Sequence, residues 1–190
     1  MSSKVMVMKA RLAFPTLEKP LQFKAGEGKP RYSATLLFEP DSDNHKKCQA
    51  AMLAAAEAKW PGKGAAAVKS LTAGLKVAML DGDTKSEYDG FEGMIFVGAH
   101  AQASAPPTLL DGNKKHLPRD TGVIYAGCYV NAAIEFYGQD NEWGKRINAG
   151  LRGLQYAGEG QSFSASRPAE TDEFEVVEEA VDTAGSDDFA

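Results

Sequence analysis

Tyr125, Tyr129 and Tyr137 have the types and spacing to do chemistry beyond folding. Between positions 123 and 137 Ile124, Ala126, Cys128, Val130, Ala132, Ile134 and Phe136 alternate with Tyr125, Gly127, Tyr129, Asn131, Ala133, Glu135 and Tyr137. A period of two marks a strand with one buried face, which puts the three tyrosines on the wet face. Tyr125 and Tyr129 would stand about 13 Å apart along it. Aromatic platforms of this kind stack on unpaired nucleobases, at roughly 1–3 kcal/mol per base and with little regard to sequence. The plainer reading is that tyrosine is a good strand former.

Basic residues follow the same geometry. Lys9, Arg11, Arg31, Lys76 and Arg152 fall opposite the apolar residues of their predicted strands, and Lys29, Lys114, Lys115, Arg119, Lys145 and Arg146 lie in or near loops. Neutralising phosphates would give them a salt-dependent role, although each one singly reads as a solvated charge. Trp143 beside Lys145 and Arg146, and Phe96 on a predicted strand, are further stacking candidates. Phe14, Tyr32 and Trp60 read as packing.

The net charge of -5 is unevenly placed. Nine acids (Glu170, Asp172, Glu173, Glu175, Glu178, Glu179, Asp182, Asp187 and Asp188) and no lysine or arginine lie in residues 170–190. The remaining 17 acids face 21 bases, so residues 1–169 carry +4. A mildly basic body with an acidic tail fits a nucleic-acid partner, while a solvated, disordered terminus explains the same composition.

Enzymatic and metal chemistry finds little support. Asp81-Gly82-Asp83 with Glu87 and Asp89 approaches a calcium loop, but Lys85 and Ser86 stand where an acid or amide and a glycine are needed. A tight turn accounts for it equally. Gly62-Lys63-Gly64 and Gly26-Glu27-Gly28-Lys29 lack the spacing and hydroxyl of a phosphate loop. Cys48 and Cys128 form no CxxC pair, and His45, His100 and His116 have no nucleophile at a diagnostic spacing. No cofactor, metal site or catalytic residue is expected.

The positioning elements are predicted as strands at 4–14, 31–38, 75–80, 94–101, 123–137 and 147–156, and helices at 44–59 and 65–71. On the first strand Met6, Met8, Ala10, Leu12 and Phe14 share the apolar face. Residues 15–30 and 105–119 read as loops. This is a mainly β domain over residues 1–160, a barrel or sandwich with a helical insertion between strands, followed by a flexible acidic tail over 161–190. No apolar run approaches the roughly 20 residues of a membrane helix, and the opening residues lack a signal peptide's apolar core, so a cytoplasmic location is expected.

Four segments carry a resemblance. Arg31-Tyr32-Ser33-Ala34-Thr35, Leu80-Asp81-Gly82-Asp83, Ile124-Tyr125-Ala126-Gly127-Cys128-Tyr129-Val130-Asn131-Ala132 and Gly150-Leu151-Arg152-Gly153-Leu154-Gln155 resemble a bacteriophage family long catalogued as a domain of unknown function, with characterised members that bind single-stranded DNA. The resemblance implies an OB-fold β-barrel (the oligonucleotide-binding type) and a role in phage DNA replication or recombination inside the infected host cell. It brings no binding motif to carry over, so the candidate residues rest on face and charge. The ending Asp187-Asp188-Phe189-Ala190 is similar in kind to the acidic, aromatic-ended tails of single-stranded DNA-binding proteins. Such a tail would modulate DNA binding and recruit phage or host replication proteins. The alternatives are a phage assembly or scaffolding protein and, further off, a metal-dependent nuclease using the Asp81 turn.

Overall fold

The computed structural model describes residues 2–22 and 28–163. The acidic segment, with Asp187, Asp188 and Phe189, lies outside the described residues. Among those described, seven strands and two α-helices follow in the order β1 (Lys4–Leu21), β2 (Arg31–Phe38), α1 (Asp43–Lys59), α2 (Gly64–Ala73), β3 (Met79–Asp81), β4 (Ile95–Gln102), β5 (Thr108–Leu110), β6 (Tyr129–Asn141) and β7 (Gly144–Gly158). No described helix is long and apolar enough to cross a membrane.

The sheet order is β3-β4-β2-β1-β6-β7-β5, and β4 also pairs in parallel with β7 through Ala99–Ala149 and His100–Gly150. Thus β1, β2, β4, β7 and β6 form a ring of hydrogen-bonded neighbours. Closure removes most of the free strand edges an open sheet would leave. Val7, Leu12, Leu36, Val97, Ile134, Phe136, Ile147 and Leu154 fill it. The alanine-rich α1 lays Cys48, Ala51, Met52, Ala55 and Ala56 against that core and packs on β6 and β1. Ser42 caps its first turn by accepting the His45 N–H, and Pro61-Gly62 follows its end. Both cysteines are free and buried, and burial raises the Cys48 thiol to about 12, so it stays protonated and unreactive.

β1 departs from its predicted pattern. It runs on through Pro15 and Pro20 to Leu21, where a loop was expected, and its register shifts between Val7 and Ala10 and again between Ala13 and Thr16. Each shift adds one residue and moves the side chains to the other face. Val7 therefore points inward while Met6 and Met8 are exposed. After the first bulge Ala10 and Leu12 point inward, and after the second Phe14 is exposed. Lys9 and Phe14 sit at the bulges with positive φ, 45° and 46°. Asn44 of α1 satisfies the Met8 N–H and C=O (2.9 and 2.7 Å), and Asn131 accepts the Lys9 N–H at 2.9 Å. Side chains thus bond the backbone groups that the ladder leaves unpaired at the first bulge.

A second, smaller cluster lies on the outer face of β1, β2 and β4. Residues 82–94 fold over Ala13, Leu37 and Phe96 and drive Phe91 into them. Gly82 makes this possible, because a Cβ there would lie 1.9 Å from the Phe91 carbonyl oxygen. Asp81 accepts the Asp83 N–H at 2.9 Å, and Asp83 accepts the Gly93 N–H at 2.7 Å. The Asp-Gly-Asp turn is therefore the anchor of this flap. No group of three or more metal-ligating side chains occurs among the described residues.

Candidate nucleic-acid interface

The long strand begins at Tyr129, not at 123. Gly127 adopts φ +103°, a conformation open to glycine, and breaks the strand before it starts. Tyr125 consequently leaves the wet face expected for it. Its hydroxyl donates to the Gly160 carbonyl (2.9 Å) and accepts the Gly160 N–H (3.2 Å), and its ring packs on the core. Phe96 is also corrected. It does point outward, but the flap covers it, leaving it 5% exposed under Phe91. Phe96 is thus closed off, and Tyr125 is half-buried.

Tyr129 keeps its expected place. It is 38% exposed and pairs in register with Arg11. Lys9, Arg11 and Tyr129 line one groove of about 490 Å³, together with Asn44, Met94 and Glu92. Two cations beside an exposed aromatic ring on a concave surface can hold a phosphate and stack the attached base. Arg11 is preset there: its guanidinium donates to the Gly127 and Gln161 carbonyls (3.3 and 2.7 Å) and lies 4.2 Å from the Phe163 ring centroid.

The other candidates spread around the ring. Tyr137, 49% exposed, stands eight residues along β6, about 26 Å from Tyr129 at the usual rise. Arg152 is on the neighbouring strand, ion-paired with Glu135 at 3.2 Å. Trp143 is 79% exposed at the β6–β7 turn, next to exposed Lys145 and Arg146. Lys145 lies 3.8 Å from Asp140, whose carboxylate also accepts the Trp60 indole N–H. Arg31 is exposed at the start of β2, with Lys29 just before it. Lys76 is exposed after α2, and Lys114 and Lys115 occupy an exposed turn held by Asp111. The structure brings together Lys9, Arg11 and Tyr129; Tyr137 and Trp143 belong to the far end of the β6–β7 hairpin. Arg119 is committed to structure, bonding the Leu17 and Pro107 carbonyls over the Tyr32 ring.

Sequence reasoning missed three features. Phe14 and Tyr88 form an exposed edge-to-face pair, 5.0 Å between centroids. Phe163 lies against Arg11. His100 points outward from β4 between Ser33 and Gly150, and its Nδ1 has no hydrogen-bond partner. Burial, reinforced by the positive charge of Arg31, lowers its pKa to about 4, so the imidazole is neutral at pH 7. Ala99 and Ala101 on either side of it are buried, so the alternation of β4 turns His100 outward, and the covering of its ring depends on the fold.

Comparison with known proteins fits this architecture. The family model of the Enterobacter phage Enc34 ssDNA-binding protein matches residues 3–189. A protein of Acyrthosiphon pisum secondary endosymbiont phage 1 is 34% identical over 175 residues, covering 90% of this chain and 92% of its own length. The solved single-stranded DNA-binding protein of bacteriophage Enc34, in complex with ssDNA, is 25% identical with a TM-score of 0.71, over 85% of this chain and 90% of that one. The gp2.5 single-stranded DNA binding protein of bacteriophage T7 shares the fold at 11% identity, with a TM-score of 0.57 over 93% of this chain and 100% of that one. With a whole-length family match joined to the same architecture, the chain belongs to the Enc34 family of phage single-stranded DNA-binding proteins.

Proposed function

We propose that this protein binds single-stranded DNA, stacking bases on exposed aromatic rings and holding phosphates with the basic residues beside them. The observation that carries this is the convergence of Lys9, Arg11 and Tyr129 on one groove, in a chain similar along most of its length to a protein solved with ssDNA. Tyr137, Trp143, Arg31, Lys29, Lys76, Lys114, Lys115, Lys145, Arg146 and Arg152 extend the basic and aromatic surface around the barrel. The ring order β1-β2-β4-β7-β6, closed by parallel β4–β7, supports an OB-fold reading in which oligonucleotide lies across the outer face. The protein acts without catalysis, coating single strands with little sequence preference during phage DNA replication or recombination in the host cytoplasm. In this reading residues 1–160 are the DNA-binding domain. Residues 161–190 are the acidic appendage that modulates binding, and Asp187, Asp188 and Phe189 engage replication proteins.

Fluorescence anisotropy of labelled oligo-dT and of a matched duplex, with the full chain and a chain ending at Pro168, tests this. Tight, salt-weakened binding to oligo-dT and weaker binding to duplex are expected, with truncation strengthening the former. Equal affinity for both DNAs, or no binding to either at low salt, would overturn it.

A further inference from the structure

The β6–β7 hairpin ends in a tight turn that holds Trp143 out into solvent. Asn141 pairs with Gly144 across the turn, the Asn141 side chain accepts the Trp143 N–H at 3.0 Å, and Gly144 turns the chain at φ 94°. Trp143 is 79% exposed, more than any other large apolar residue described. A ring fixed on a tight turn has little freedom to lose on binding, and tryptophan is enriched at the centres of protein contacts, where it buries roughly 150–250 Å². Beside it Glu142 is exposed and has no ion pair or hydrogen bond among the described residues.

A matching hollow lies elsewhere on the same chain. Between α1 and α2 a groove of about 440 Å³ opens over Leu53, Val68, Leu80 and Ile95, each half-buried, with Met52 and Met79 also lining it. Methionines let such a surface adapt to a ring. Lys69 lines the groove too, exposed and without an ion pair or hydrogen bond among the described residues, so it supplies the charge that Glu142 lacks. Trp143 does not enter the groove of its own chain. The hairpin packs against the end of α1, where a Cβ on Gly138 would lie 2.5 Å from the Lys59 Cβ and Asp140 accepts the Trp60 indole N–H. The groove opens on the α2 side of that helix.

We propose that Trp143 of one copy seats in the α1–α2 groove of the next copy along a single strand of DNA, with Glu142 beside Lys69. The inference rests on the single-stranded DNA reading and adds a protein contact to it. A single strand has a direction, so copies that bind it in the same way follow head to tail and meet through two different surfaces, a knob and a groove, in a contact that does not close on itself. One ring and one charge pair fall short of the roughly 1,000 Å² of a stable interface, so free chains stay monomeric. A shared strand supplies the effective concentration that makes the contact form.

The test uses the full chain carrying both Glu142→Cys and Lys69→Cys, oxidised with diamide on a long oligo-dT, on the shortest oligo-dT that the wild type binds, and without DNA. Cys48 and Cys128 are buried, which leaves the two introduced thiols to react. A ladder of covalent multimers on the long oligo-dT alone is expected. Separately, Val68→Asp puts a charge where the indole would sit. It should lower the per-site affinity for long oligo-dT by about tenfold and leave the shortest oligo-dT bound as by the wild type, with thermal melts as a control on folding. No product on the long oligo-dT, or dimers without a ladder, overturns the proposal and leaves the groove to another occupant, even if Val68→Asp fails to fold. So does a folded Val68→Asp chain that binds long oligo-dT as tightly as the wild type. In each case binding by the wild type leaves the single-stranded DNA reading standing, whereas a wild type that binds neither oligonucleotide removes both.

Discussion

Replacing Tyr129 separates stacking from electrostatics. The ring stands at the start of β6 beside Lys9 and Arg11, exposed enough that Tyr129→Leu removes little packing. Surface changes of this kind stay within about 0.5 kcal/mol of stability. One lost base stack costs roughly 1–3 kcal/mol, or about 5- to 150-fold in Kd for oligo-dT. No phosphate contact is lost, so the slope of log K against log salt stays that of the wild type. Lys9→Met should do the reverse in kind, lowering the slope by about 0.7 for one phosphate contact on a single strand. Anisotropy titrations over a salt series, with thermal melts as a control on folding, read both quantities. A Tyr129→Leu chain that melts and binds like the wild type would refute the stacking role. A changed slope would show that the ring acts through the cations beside it.

Two further outcomes follow from the fold. Gly82→Ala places a methyl group against the Phe91 and Met94 carbonyl oxygens and should cost about 1–3 kcal/mol of stability, seen as a Tm lower by several degrees, because the flap over Phe96 must shift. His100 is neutral in the folded chain down to about pH 4 but titrates near 6.5 when unfolded. It has no such effect well above pH 6.5. As pH falls from 6.5 towards 4 the unfolded chain takes up a proton the native chain refuses, and stability drops, by at most about 2 kcal/mol between pH 7 and pH 5. Urea unfolding at the two pH values should show this loss in the wild type and a smaller one in His100→Gln.

The elements whose local chemistry is self-sufficient were legible in the sequence. β2 follows the expected alternation, with Tyr32, Ala34, Leu36 and Phe38 buried, and α1 starts and stops at its capping serine and Pro-Gly pair. β1 was not legible, because its bulges fall at Lys9 and Phe14, which carry no glycine signal, and the first is held by Asn44 and Asn131, 36 and 122 residues from the Met8 and Lys9 they bond. Pro15 and Pro20 also disguised the strand, since proline within a sheet is tolerated chiefly at edges and bulges. Tyr125 was misplaced for a readable reason: Gly127 within the alternating run was the break. For Phe96 the parity was right and the covering unreadable, since only the folded 82–94 flap buries it. Tyr129, Lys9 and Arg11 were each singled out by face and charge, whereas the meeting of Phe14, Tyr88 and Phe163 depends on a bulge, a flap and the segment after β7 coming together in space.

The most direct test of an aromatic and basic single-strand groove is the intrinsic tyrosine and tryptophan fluorescence of the full chain, titrated with oligo-dT at low and at high salt. Saturable quenching at low salt that weakens as salt rises is the predicted result. Fluorescence unchanged by oligo-dT at low salt would contradict it.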